Sequence, residues 1–256
     1  MGFVGRFFVT AQLAFALAAW ADTPIENKGK PMTVPFECTL DDSQGAGLSC
    51  SEEEPCPVFL ELSGVDAVGN RIFIGGNIHT ADATLYSILL TTSDTGQTWS
   101  EANPRLRFAG LDQIQFIDFE TGWVSGANLY NAPRDPFFLI TTDGGKTWRE
   151  RHVFEDGRAG VIEKFRFESR ANGTMLVVAR YENRHELYET ATGGESWNLV
   201  RESRDPIAFP KAAAEGNPGW RLRANGGSRA YDLERSLGDR WVKVASFLVN
   251  IGHCKQ

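Results

Sequence analysis

One phrase recurs in this chain at nearly constant spacing. Thr141-Thr142-Asp143-Gly144-Gly145-Lys146-Thr147-Trp148 matches Thr92-Ser93-Asp94-Thr95-Gly96-Gln97-Thr98-Trp99, and returns with substitutions as Thr190-Ala191-Thr192-Gly193-Gly194-Glu195-Ser196-Trp197. A fourth copy, Glu234 to Trp241, keeps only Gly238 and Trp241. Gly96, Gly145, Gly194 and Gly238 lie 49, 49 and 44 residues apart, and Trp99, Trp148, Trp197 and Trp241 keep the same steps. A period in this range signals a repeat architecture, in which each unit buries its apolar face only by stacking on a neighbour. Each copy reads as a hairpin turn. An apolar run such as Phe137 to Ile140 leads in, Asp-Gly-Gly supplies the positive-φ positions of a tight turn, and Thr147-Trp148 starts the next strand.

Between the turns the chain breaks into short strands rich in β-branched and aromatic residues. The second unit is clearest: Gln113 to Phe119, Trp123 to Gly126, Phe137 to Thr141 and Trp148 to Phe154. The first unit offers 65–68, 71–74, 85–91 and a strand from Thr98; the third offers 163–168, 175–178, 186–190 and 197–201. In the fourth, Gly219-Trp220 echoes Gly122-Trp123, followed by strands at 230–234 and 241–248. No stretch past the leader reads as a long helix. Four-stranded units of this length predict an all-β fold, a β-propeller of antiparallel blades. Four repeats and a closing blade built from the N- and C-terminal segments would make about five, with a four-bladed or incomplete ring as the alternative.

The first 21 residues read as a signal peptide. Met1 to Arg6 is a short basic stretch, Phe7 to Trp20 an apolar run too short to span a bilayer comfortably, and Ala19-Trp20-Ala21 a small-x-small cleavage site. Residues 22–56 form an extended lead-in and a cysteine-rich, loop-rich segment with a short hairpin, and residues 57–256 the propeller. The expected product is exported, periplasmic or secreted, with no membrane insertion after cleavage. The net charge of −7, one unit more negative once Arg6 is removed, disfavours nucleic acid and anionic membranes as partners. Cys38, Cys50, Cys56 and Cys254 are an even set in an exported protein and are disulfide candidates. Three pairings are open. If two bridges form, one joins the two ends of the chain, with Cys254 tied to Cys56 or a neighbour.

The recurring phrase resembles the Asp-box, or bacterial neuraminidase repeat, Ser/Thr-x-Asp-x-Gly-x-Ser/Thr-Trp. Together with Ile117-Asp118-Phe119-Glu120-Thr121-Gly122-Trp123-Val124-Ser125-Gly126 it is similar to the repeat of the photosystem II assembly and stability factor family of exported or lumenal propellers. The resemblance covers about residues 57–250. Two boxes match in full; the third has Thr192 in place of Asp, and the fourth lacks the Asp and the hydroxyls. The motif implies the fold and says little of function, since sialidases, sortilin-type receptors, glycosidases and assembly factors carry it. The box residues Thr92, Asp94, Gly96, Thr98, Trp99, Thr141, Asp143, Gly145, Thr147, Trp148, Gly194, Trp197, Gly238 and Trp241 are expected to be structural. The carboxylates accept turn N–H bonds and the glycines supply backbone freedom.

No catalytic set stands out. Gly144-Gly145-Lys146-Thr147 has Ile140 where a phosphate loop needs its first glycine, and a strand where it needs a helix. His79, His152, His185 and His253 are unclustered, no cysteine spacing suits zinc, and Glu52-Glu53-Glu54 lacks calcium-ligand spacing, so no metal or cofactor is expected. Asn172-Gly173-Thr174, a formal glycosylation sequon, reads as a turn. A sialidase would use an arginine triad and a Tyr nucleophile, and no Arg-Ile-Pro-type signature precedes the first blade. The expected role is therefore a non-catalytic scaffold, monomeric, binding an exported or membrane protein. A sialidase-like glycosidase or a glycan-binding propeller is the alternative. In such a blade the boxes mark one face, and the second-to-third strand loops lie on the other. Those loops, Asn77–Thr84, Asn128–Pro136 and Tyr181–His185, supply the candidate partner-binding residues His79, Asp82, Tyr130, Arg134, Asp135, Tyr181, Arg184 and His185.

Overall fold

The structure, a computed structural model, describes residues 24–130, 135–154, 159–179, 183–210 and 219–255. The leader with its cleavage site, Arg134 and Tyr181 lie outside them. A two-residue strand, β1 (Ile25–Glu26), and a short helix, α1 (Leu40–Gly45), precede the repeats. The first blade is β2 (Cys56–Val68), β3 (Arg71–His79), β4 (Thr84–Thr92) and β5 (Thr98–Glu101). The second is β6 (Ala109–Phe116), β7 (Gly122–Asn128), β8 (Asp135–Thr141) and β9 (Arg149–His152). The third is β10 (Val161–Phe167), β11 (Gly173–Ala179), β12 (Arg184–Thr190) and β13 (Asn198–Ser203). The fourth has three strands among the described residues, β14 (Trp220–Asn225), β15 (Ala230–Leu237) and β16 (Arg240–Leu248), and β17 (Asn250–Cys254) follows. Every pairing within these sheets is antiparallel, as propeller blades require.

The terminal segments act differently from the separate closing blade expected of them. β17 pairs with the inner strand β2, Cys254 opposite Cys56, and β1 pairs with the outer strand β5, Ile25 opposite Trp99. Both add to the first blade, making a six-stranded sheet with its two free edges covered, which is the usual remedy for an exposed strand edge. The described residues thus form four sheets. Cys254 stands opposite Cys56 in the register yet bonds to Cys38, while Cys56 bonds to Cys50, so one bridge joins chain ends 216 residues apart. The hairpin expected within 36–56 is instead α1. Thr39 and Asp42 cap it reciprocally: Asp42 N–H donates to Thr39 Oγ1 at 3.2 Å and Thr39 N–H to Asp42 at 2.8 Å. No helix among the described residues is long and apolar enough to cross a membrane.

Two further differences have local causes. β6 ends at Phe116 rather than Phe119 because Asp118 accepts the N–H groups of Glu120 and Thr121, folding 117–121 into a side-chain-closed turn. Half of the long loop expected at Asn77–Thr84 is strand, and Thr80 Oγ1 accepts from Asp82 and Ala83 to close a short turn over the rest.

The core is layered between blades. Leu233, Ala245 and Phe247 of the fourth sheet pack with Leu60, Ile74, Ile88 and Trp99 of the first. Phe73 and Leu89 of the first pack with Val124, Phe137 and Leu139 of the second. Trp123, Phe138 and Ile140 of the second pack with Phe165, Phe167, Met175 and Tyr188 of the third. The sheets stand in the order fourth, first, second, third, and no apolar cluster of described residues spans the third and fourth.

Candidate functional site

The first two repeat turns are built alike around a carboxylate. Asp94 Oδ1 accepts the N–H groups of Gln97 and Thr98, each at 2.9 Å, and Oδ2 accepts the Thr98 hydroxyl at 2.6 Å. Thr92 Oγ1 accepts from Gly96 N–H at 3.0 Å and donates to Asp94. Asp143 repeats the set, with Lys146 and Thr147 N–H at 3.0 Å and the Thr147 hydroxyl at 2.6 Å, and Thr141 Oγ1 takes Gly145 N–H at 2.8 Å. The Thr147 hydroxyl and N–H hold the Asp143 carboxyl down at about 2, and the equivalent Thr98 bonds hold Asp94 far below the ordinary carboxylate range. In the third turn a hydroxyl stands in for the carboxylate: Thr192 Oγ1 accepts Ser196 N–H at 3.0 Å and contacts Ser196 Oγ at 3.0 Å, while Thr190 takes Gly194 N–H at 3.1 Å. The fourth retains Ser236 Oγ donating to Gly238 O at 3.3 Å.

Three of the turns also tie one blade to the preceding one. Asn27 donates to Gly96 O and Val244 O, Arg71 to Gly144 O at 2.5 Å, and Trp123 Nε1 to Gly193 O at 2.9 Å. The turn tryptophans enter the same junctions. Trp99 meets Phe247 edge-on at 5.2 Å, Trp148 meets Phe73 at 5.9 Å, and Trp197 stacks on Phe138 at 5.6 Å. Gly145, at φ +79°, has no room for a Cβ because the Phe73 ring fills that space. The inner strands are bridged as well: Asp66 accepts Phe116 N–H at 2.6 Å, and Gln115 both donates to Phe167 O and accepts from Phe167 N–H, at 2.8 and 2.7 Å.

The end of the third blade is different. Strand register puts Thr174 where the first and second blades have Phe73 and Trp123, opposite Glu189 where the second has Ile140. Among the described residues no atom beyond its chain neighbours lies within 4 Å of where a Gly238 Cβ would stand, and Trp241 is 39% exposed, its ring covered by Arg221 of its own sheet at 4.1 Å. A cleft of about 410 Å³ remains on the third blade, lined by Glu168, Thr174, Glu189, Asn198 and Val200 among others. Arg166, at the position of Gln115, donates instead to Pro210 O at 2.6 Å.

On the face away from the turns the candidate partner residues fall at three corners. His79 ends β3, its Nδ1 2.7 Å from Thr80 O and its ring 5.7 Å from Phe59; Asp82 is exposed in the adjoining turn. Tyr130 is 56% exposed and its ring lies 4.5 Å from Phe108, which in turn lies under Arg107. Asp135 pairs with His152 Nδ1 at 2.9 Å. Arg184 pairs with Glu186 at 2.9 Å, and His185 Nδ1 is buried with no hydrogen-bond partner among the described residues.

Sequence reasoning missed the group beside Tyr130. Arg107 reaches Asp41 of α1 at 2.7 Å, and Tyr86 donates to Asp42 at 2.5 Å, pinning the helix over the junction of the first two blades. Burial pushes the Tyr86 hydroxyl up to about 12, aided by the Asp42 bond. Burial also acts to raise Asp42, but the Tyr86 and Thr39 bonds outweigh it and leave the carboxyl lowered. The available signal was the spacing Thr39-x-x-Asp42, a capping box. Among the described residues no group of three or more His, Cys, Asp or Glu is placed to hold a metal ion.

Fold and site together define a disulfide-bridged β-propeller chain. No protein-family model matches it, and no curated protein does. Among solved structures it is similar to "YCF48 bound to D1 peptide", at 17% identity and a TM-score of 0.42 over 74% of this chain and 56% of that one. It is similar to YCF48 from Cyanidioschyzon merolae, at 17% identity and 0.40 over 74% and 57%. A polysaccharide lyase family 25 ulvan lyase bound to -[GlcA(1-4)Rha3S]- gives 9% identity and 0.43 over 78% and 54%. The chain spans a little over half the length of each of these structures. Likenesses of this degree leave the chemistry of this chain to its own residues.

Proposed function

We propose that this chain is a non-catalytic exported scaffold that grips another protein, a soluble or membrane protein of the envelope, through the face opposite the repeat turns. The repeat turns are read as Asp-boxes that build and link blades. The observation that carries the reading is the corner of Tyr130, Phe108, Arg107 and α1. There an exposed aromatic ring is braced from beneath by a second ring, beside a guanidinium already held by Asp41, with Leu40 exposed on the helix. Tyr, Arg and apolar side chains on a rigid support are the composition of protein-binding hot spots. The aspartates with resolved shifts, Asp42, Asp94, Asp118, Asp143 and Asp232, are all lowered, as suits ionised groups that fix turns and salt links rather than a proton-donating acid.

The test is affinity capture from the native envelope with the wild-type chain and with Tyr130→Ala and Arg107→Ala, each checked for an unchanged melting temperature. A partner retained by wild type and lost by both variants is expected. Turnover of a fluorogenic sialoside, or tight binding on a glycan array, would overturn the reading in favour of a glycan-processing or glycan-binding propeller.

A further inference from the structure

We propose that the two ends of the blade series, the outer face of the third sheet and the outer face of the fourth, bind a second copy of this chain end to end. Among the described residues, both faces lack the apolar clusters that join every other neighbouring pair of sheets. On the third, strand alternation turns Arg166, Thr174 and Glu189 away from the apolar layer that meets the second blade. On the fourth, the residues turned away from the first blade are Arg221, Arg223, Asp232, Glu234 and Trp241.

The two faces complement each other. The third presents exposed Val200 beside the cleft and Glu189, which has no ion-pair partner among the described residues. The fourth presents Trp241 with Arg221 stacked on it. Glu234 and Asp232 are almost buried beneath Arg221 and Arg223, so the surface offered is an aromatic ring among cations. Trp241 is the one turn tryptophan not packed on another sheet's aromatic ring among the described residues. By repeat equivalence it stands at the same height on its blade as the cleft on the third.

Among the described residues of one chain no apolar cluster joins the two faces. After β13 the chain lies over the inner part of the third blade's face, with Ile207 buried, Phe209 beneath Lys164 and Arg166 at 5.9 and 5.6 Å, and Pro210 O bound by Arg166. The cleft on the turn side stays open. A second copy approaches it from outside, its Trp241 and Arg221 meeting Val200 and Glu189. Related by a two-fold axis, two copies make this contact twice.

Sedimentation equilibrium of the disulfide-intact chain, from micromolar to submillimolar concentration, tests the proposal. Wild type is expected to pass from monomer to dimer mass. Val200→Arg and Trp241→Arg, both surface changes checked for unaltered melting, are each expected to weaken dimerisation at least about tenfold. An equimolar mixture of the two variants is expected to recover dimer, because each mixed pair keeps one unaltered contact. Tyr130→Ala should leave the equilibrium unchanged. A wild-type chain that stays monomeric throughout, or a dimer indifferent to both end variants, would overturn the proposal.

Discussion

The junction between the second and third blades and the end of the third blade use the same repeat, yet one is filled and the other open. At the filled junction Trp123 is fully buried, stacks on Phe167 at 3.7 Å and donates to the next turn, while Arg149 and Arg151 reach Glu195 in that turn. One repeat further on, Thr174 replaces the indole, and Asn198 and Val200 replace the two arginines. A turn of the right length still follows, and among the described residues nothing beyond its chain neighbours stands within 4 Å of where a Gly238 Cβ would be. The repeat turn therefore shapes its own hairpin, whereas the seat on the preceding blade decides whether two blades join. Area explains the difference: an indole removes far more apolar surface from water than a threonine methyl does.

Four perturbations would break or sharpen that contrast. The largest effect is expected at the filled seat. Trp123→Ala should lower unfolding free energy by about 3–5 kcal/mol in urea denaturation, as for other buried aromatic truncations, whereas Trp241→Ala, at the open end, should cost below about 1 kcal/mol. Comparable losses at both would mean that the fourth turn is seated in solution. Next, the first sheet carries a covalent tie, from its added strand β17 to the segment before α1, that the other sheets lack. Removing it with Cys38→Ser and Cys254→Ser should cost about 2–4 kcal/mol, and the same measurement on Cys50→Ser with Cys56→Ser should show a smaller loss, since that bridge closes a loop of only six residues' separation.

The third effect lies in the turns. Asp143→Ala should cost about 1–2 kcal/mol, for loss of hydrogen bonds to a charged acceptor. Thr192→Asp should raise the melting temperature, because a carboxylate there can accept the Ser196 N–H and hydroxyl together. A neutral or harmful Thr192→Asp would show that the third turn has adapted to its hydroxyl. The smallest effect is acid sensitivity. Asp143 is depressed from 3.8 to about 2 in the folded chain, so its contribution is full above the ordinary carboxylate range and is lost as pH falls towards 2. Amide exchange, corrected for intrinsic rates, should therefore show Lys146 and Thr147 losing protection across that range, with Gln97 and Thr98 following at lower pH, while Ser196, held by a hydroxyl, does not change. Equal acid loss at Ser196 would contradict the assignment of the effect to the carboxylates.

Much of the fold could be read in advance because the signals are local. The spacing of Gly96, Gly145 and Gly194 located three hairpins, and all four units gave strands close to where their apolar alternation lies. What escaped was set by partners distant in sequence. β17 looks like material for a separate blade; that it adds to β2 depends on a free edge some 190 residues earlier. The capping box at Thr39 and Asp42 was legible but was read as loop, since a helix of six residues leaves too little periodicity to notice. At the candidate binding face, Tyr130 was named from loop length and residue type. Phe108 and Arg107 were not, because they sit on the link between blades and meet Tyr130 only in three dimensions.

The sequence by itself determined the unit: a turn whose Asp or Thr side chains close their own hydrogen bonds, flanked by strands that must bury one face. Those interactions span four or five residues, so they are written where they act. The tertiary structure decided which units touch. Packing of Phe73, Trp123 and Thr174 against whatever follows depends on surfaces 50 residues or more apart, so among the described residues equal repeats produce three apolar-packed boundaries and one without such packing.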